Sequence, residues 1–107
     1  MTEPTFEAEA DDESKTLLLT VTGELDASVA ERFEGEIRAG IFTSEATRLV
    51  IDLTGVGFMD STALGVIIGA KNVMRERGGL VVLRRPSPTV ARLLEVTQLA
   101  GDLEIEA

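Results

Sequence analysis

Asp60, Ser61 and Thr62 lie between the glycine-spaced stretch Gly55-Val56-Gly57-Phe58-Met59 and an apolar run that opens Ala63-Leu64-Gly65. The nearly unbroken apolar run Leu49 to Leu53 precedes them. The order reads as a strand, a short glycine loop and the start of a helix. A hydroxyl at a helix start lies near the positive end of the backbone dipole, where an added phosphate is tolerated. This makes Ser61 a candidate switch, and Thr62 offers a second hydroxyl beside it. Asp60 and Ser61 both carry side-chain oxygens suited to capping free helix N–H groups.

Other chemistries fit poorly. The chain has no cysteine, which excludes disulfides, thiol catalysis and cysteine metal sites, and no histidine, the commonest general base and metal ligand. Asp60 and Ser61 are adjacent, which is not the geometry of a hydrolase site. Gly55-Val56-Gly57-Phe58-Met59-Asp60 sits where a dinucleotide fingerprint would, but Asp60 replaces the third glycine and would repel a pyrophosphate. No P-loop lysine is present. The acids are scattered without metal-ligand spacing. No cofactor and no metal are expected.

Composition narrows the partners. Ten Lys+Arg against nineteen Asp+Glu give a net charge of −9. That argues against nucleic acid and anionic membrane surfaces and suits a protein partner with a basic face. The N-terminus shows no signal-peptide pattern, and the longest apolar run, Ala63 to Ala70, is far short of the ~20 residues that span a bilayer. A cytoplasmic monomer of one domain over residues 1–107 is expected.

The elements that position these residues follow from periodicity. Phe6, Ala8 and Ala10 alternate with acids, and Leu17, Leu19 and Val21 alternate with threonines and Leu18. The two strands form an antiparallel hairpin around Asp11-Asp12-Glu13-Ser14. Gly23-Glu24-Leu25-Asp26 breaks the strand pattern. Ser28 and Glu31 read as a capping box for a helix lined by Ala30, Phe33, Ile37 and Ile41, with Gly40 marking its end. Leu49–Leu53 is a central strand. The helix from about Ser61 to Arg77 is apolar nearly all round in its first half, which should be deeply packed, and Gly78-Gly79 ends it. Leu80–Leu83 is another strand. Ser87 caps a last helix with Pro88 at its first position, lined by Val90, Leu93, Leu94 and Val96. Leu103 and Ile105 suggest a short final strand. The order β-β-α-β-α-β-α-β predicts an α/β fold with a mixed sheet, helices mainly on one face and right-handed crossovers.

Gly23-Glu24-Leu25-Asp26, Ile51-Asp52-Leu53 and Phe58-Met59-Asp60-Ser61-Thr62-Ala63-Leu64-Gly65, in this order, resemble the STAS domain, and within it the bacterial anti-sigma factor antagonists. Gly78-Gly79 and Ser87-Pro88 are similar too, so the resemblance spans nearly the whole chain. Ala63 stands where glycine is common, and Thr62 where many members have serine. The resemblance implies a STAS-like single domain acting as a binding module, not an enzyme. It implies that the unphosphorylated protein binds an anti-sigma factor that is also a serine kinase, freeing a sigma factor. The kinase, using Mg-ATP, would then phosphorylate Ser61, and a protein phosphatase would reverse this. Asp26, Glu24, Asp60, Thr62 and Met59 join Ser61 as the implied partner-facing residues. Other readings are a STAS subunit of a sensory assembly, a nucleotide- or lipid-associated accessory subunit of a transporter and, last, a small hydrolase.

Overall fold

Alternation builds the sheet. The computed structural model describes residues 3–98, 101 and 103–107. It contains β1 (Thr5–Asp11), β2 (Thr16–Leu25), α1 (Ala30–Thr43), β3 (Arg48–Met59), α2 (Ser61–Glu76), β4 (Leu80–Arg84), α3 (Pro88–Thr97) and β5 (Glu104–Glu106). The strands lie side by side in sequence order, β1-β2-β3-β4-β5. β1 is antiparallel to β2, and every later pair is parallel. The sheet is mixed, as the leading hairpin and helical crossovers require.

Leu19, Val21 and Leu25 of β2, Leu49, Ile51 and Leu53 of β3, and Val81 and Leu83 of β4 turn to one face. They form a single core cluster with Phe33 and Ile37 of α1, Leu64, Ile67 and Met74 of α2, and Val90 and Leu94 of α3. Strand side chains alternate between faces, so Val50 and Val82 point the other way, buried but outside this cluster. On that opposite face the cross-strand row Thr20, Asp52, Arg84 and Glu106 runs over four strands. The Arg84 guanidinium donates from Nε to Glu106 Oε1 at 3.1 Å, and Arg48 lies 3.8 Å from the other carboxylate oxygen.

Several local expectations give way to tertiary context. Gly23-Glu24-Leu25 continues β2 instead of breaking it. Gly23 has φ 96° beside a register shift, and a Cβ there would fall 2.8 Å from the Pro4 Cα. The glycine stretch after Leu53 is not a loop: it extends β3 to Met59, with Gly55 opposite Thr22 and Met59 opposite Leu25. Two register shifts each place one extra residue in β3. Such bulges sharpen the local twist and re-aim the strand end. Gly55 allows close approach, since a Cβ would lie 2.8 Å from Thr22 Cγ2.

Helix ends differ as well. The expected capping box does not form: the N-cap of α1 is Val29, without a side-chain cap bond, and Ser28 instead donates to Asp26. Gly40 does not end α1, which runs on to Thr43; a Cβ at Gly40 would sit 2.8 Å from Leu17 Cδ2, so its role is packing. Arg77 ties the last turn of α1 to the segment that follows it: its guanidinium donates to Ile41 O (3.0 Å) in the helix and to Ser44 O (3.0 Å) and Ala46 O (3.2 Å) beyond it. The first half of α2 packs on one face only, with Gly65 and Gly69 exposed. Ala8 and Ala10 are exposed, while half-buried Phe6 stacks on Phe33 at 5.9 Å between ring centroids. Val96 is 65% exposed and lines no core.

Candidate functional site

β3 pairs with β4 only as far as Asp52 opposite Arg84, whereas its pairing with β2 continues to Met59 opposite Leu25. Two parallel strands therefore overshoot the rest of the sheet and end together. The segments that follow them, the Asp26–Val29 turn and the start of α2, leave from the same place. The Asp60 N–H donates to Leu25 O at 3.1 Å and closes the junction.

Each segment is shaped by an aspartate. Asp26 Oδ1 accepts from the Ser28 N–H at 2.9 Å and from the Ser28 hydroxyl, and Asp26 O accepts from the Val29 N–H at 3.1 Å. Asp60 has extended backbone (φ −103°, ψ 179°) and is the N-cap of α2. Its Oδ1 accepts from the Ala63 N–H at 3.0 Å, which satisfies one free donor of the first turn. Its Oδ2 accepts from the Ala27 N–H at 2.8 Å, across to the other segment. The half-buried carboxylate thus joins both halves of the site.

Ser61 and Thr62 are the first two residues of α2, and both are exposed. The cap belongs to Asp60, so neither hydroxyl carries that duty. Thr62 also borders a shallow depression with Gly65 and Val66 of α2 and Ala30, Glu31 and Glu34 of α1. Asp26 and Glu24 are half-buried beside the junction. Met59 departs from the surface position expected of it: it is 3% exposed, inside the core, while its neighbour Phe58 is the exposed one. The Ala27 N–H was invisible to residue-type reasoning because it is a backbone group. Its only trace is the Asp26-Ala27-Ser28 turn composition.

Below the junction, Asp52 is pulled two ways. Partial burial raises its carboxyl pKa. Hydrogen bonds from the Thr54 hydroxyl (2.6 Å) and N–H (2.9 Å), with Arg84 and Arg85 nearby, outweigh that and leave it below the ordinary value. Among the described residues, no group of three or more acids is placed to hold a metal ion, and no helix is long and apolar enough to cross a membrane.

This chain order and sheet have a known counterpart. Residues 7–107 match the family model of the STAS domain. The chain belongs to the STAS family. The anti-sigma-B factor antagonist of Listeria monocytogenes is 40% identical over 86 residues, covering 80% of this chain and 75% of that protein. The anti-sigma F factor antagonist of Lysinibacillus sphaericus is 31% identical over 85 residues, covering 79% and 73%. The solved structure of the anti-sigma factor antagonist SpoIIAA in its unphosphorylated form superposes with a TM-score of 0.80 at 25% identity, covering 96% of this chain and 89% of that one. The bulged, overshooting β2–β3 pair and the α2 start are thus carried on a STAS sheet.

Proposed function

We propose that this STAS protein is an anti-sigma factor antagonist whose binding to an anti-sigma factor with serine kinase activity is ended by phosphorylation of Ser61. One observation carries the reading: Ser61 is the exposed first residue of α2, while among the described residues it is Asp60 whose side chain supplies the cap. A kinase therefore reaches a hydroxyl that the fold does not need. The kinase supplies Mg-ATP, the antagonist performs no chemistry, and a phosphatase resets it. The partner face is the Asp26 turn together with Ser61 and Thr62.

Charge explains release. A phosphate adds about −1.5 to −2 charge. The start of α2 offsets part of this locally, so the fold persists. A partner carboxylate ~6 Å away, at an effective dielectric of ~20, is repelled by about 3 kcal/mol per unit charge before salt and exposure reduce it. Since ~1.4 kcal/mol is a tenfold change, release needs only part of that.

The test is site-resolved mass spectrometry after incubation with Mg-ATP and cytosol from the protein's own source. Phosphate on Ser61 is expected, and Ser61→Ala should remove it. Equal uptake by Ser61→Ala would move the acceptor to Thr62. Persistent absence, with another antagonist modified in parallel, would favour a constitutive STAS subunit of a larger assembly.

A further inference from the structure

The two oxygens of the Asp60 carboxylate serve different elements. Oδ1 holds the Ala63 N–H inside α2, and Oδ2 holds the Ala27 N–H in the turn that follows β2. One planar group carries both bonds, so Asp60 cannot shift away from one donor without changing its reach to the other. The Asp26 turn has its own internal bonds through Asp26 and Ser28, so losing the Ala27 contact would free its position without unravelling it. The residue next to Asp60 is Ser61.

We propose that Asp60 is a positioning residue that couples Ser61 to the Asp26 turn: it holds the turn on α2 while Ser61 is unmodified, and a phosphate on Ser61 weakens that hold. The step is electrostatic and transfers no atoms beyond the phosphate itself. A group of about −1.5 to −2 charge on the neighbouring residue repels the carboxylate. The same phosphate competes for the free N–H groups at the start of α2, which attract any anion. Both effects act on Asp60, and the Ala27 N–H is the contact with least support from the helix. A partner that reads the turn and Ser61 as one surface then meets a displaced turn as well as a new charge. This rests on Ser61 being the acceptor, but its test needs no kinase.

The experiment uses the full chain labelled with nitrogen-15 in three forms: wild type, Asp60→Ser, and a chain with phosphoserine installed at position 61 during translation. Serine caps helices as well as aspartate does, yet its single oxygen serves α2 and leaves Ala27 without an acceptor. Amide hydrogen exchange is read at Ala27, at Ala63, and at Ile51 and Leu53 in the core. Exchange at Ala27 should quicken about tenfold in both altered chains, the change expected when ~1.4 kcal/mol of local hold is lost. Ile51 and Leu53 should stay as in wild type in both, and Ala63 should stay so in Asp60→Ser. Wild-type exchange at Ala27 in the phosphoserine chain would overturn the coupling. So would acceleration that spreads to Ile51 and Leu53, because the effect would then be global. Should Asp60→Ser fail to fold, Asp60→Asn makes the same comparison, since asparagine also caps and has only one accepting oxygen. Failure of Ser61 to take phosphate in its own cytosol would defeat the proposed function and leave this result standing.

Discussion

At the scale of single residues, Asp60 and Ser61 are neighbours with separate duties: one is committed to the fold and the other is exposed. Ser61→Ala should therefore leave stability within about 0.5 kcal/mol of wild type, as surface changes away from special features do. It should also keep partner binding while resisting phosphorylation, checked by urea unfolding and a pull-down with the kinase. Ser61→Asp should bind about tenfold more weakly, read by titration calorimetry; unchanged affinity would count against release by charge. Asp52 predicts a pH effect. Its carboxyl is depressed in the folded state, so it contributes stability above the unfolded pKa and loses it as the pH falls through the folded one. Melting temperature should thus fall more steeply below about pH 4 in wild type than in Asp52→Asn.

Elements show where sequence reading works and where it stops. The 3.6-residue spacing of Ala30, Phe33, Ile37 and Ile41 and the alternation of Leu17, Leu19 and Val21 locate α1 and β2, since each buries one face. Ser87 and Pro88 mark the start of α3 correctly, with Ser87 Oγ accepting from the Val90 N–H at 3.3 Å. Asp60-Ser61 at a helix start was legible for the same reason. The glycines misled because their composition is that of turns. Gly23, Gly55 and Gly57 lie instead within paired strands, where β2 and β3 supply each other's backbone bonds. Nor could the end of α1 be read locally, because carbonyls in its last turn and just beyond it are bonded by Arg77, far along the chain. Arg77→Ala should remove these bonds from a charged donor and cost about 1.5–3 kcal/mol in urea unfolding. Gly23→Ala should destabilise too, since it combines a positive φ with a backbone clash at Pro4.

At the scale of the whole molecule, the two sheet faces hold different interactions. One is apolar and carries the helices. The other sets a polar row beside Val50 and Val82, with Glu106 reaching both Arg84 and Arg48. These pairs are partly exposed, so Glu106→Gln should cost under about 1 kcal/mol, and less at high salt, in melts at two ionic strengths. The net charge of −9 fits a partner with a basic face.

The order of the strands has a meaning in time. Because β1 to β5 lie in the sheet as they lie in the chain, no strand has to be threaded between two already joined. A chain emerging from the ribosome N-terminus first adds each strand to an open edge. β1 to β3, α1 and α2 hold every part of the Asp26–Asp60–Ser61 junction, and all are synthesised before β4. The junction is therefore complete in sequence while the remaining edge of the sheet is still to be made.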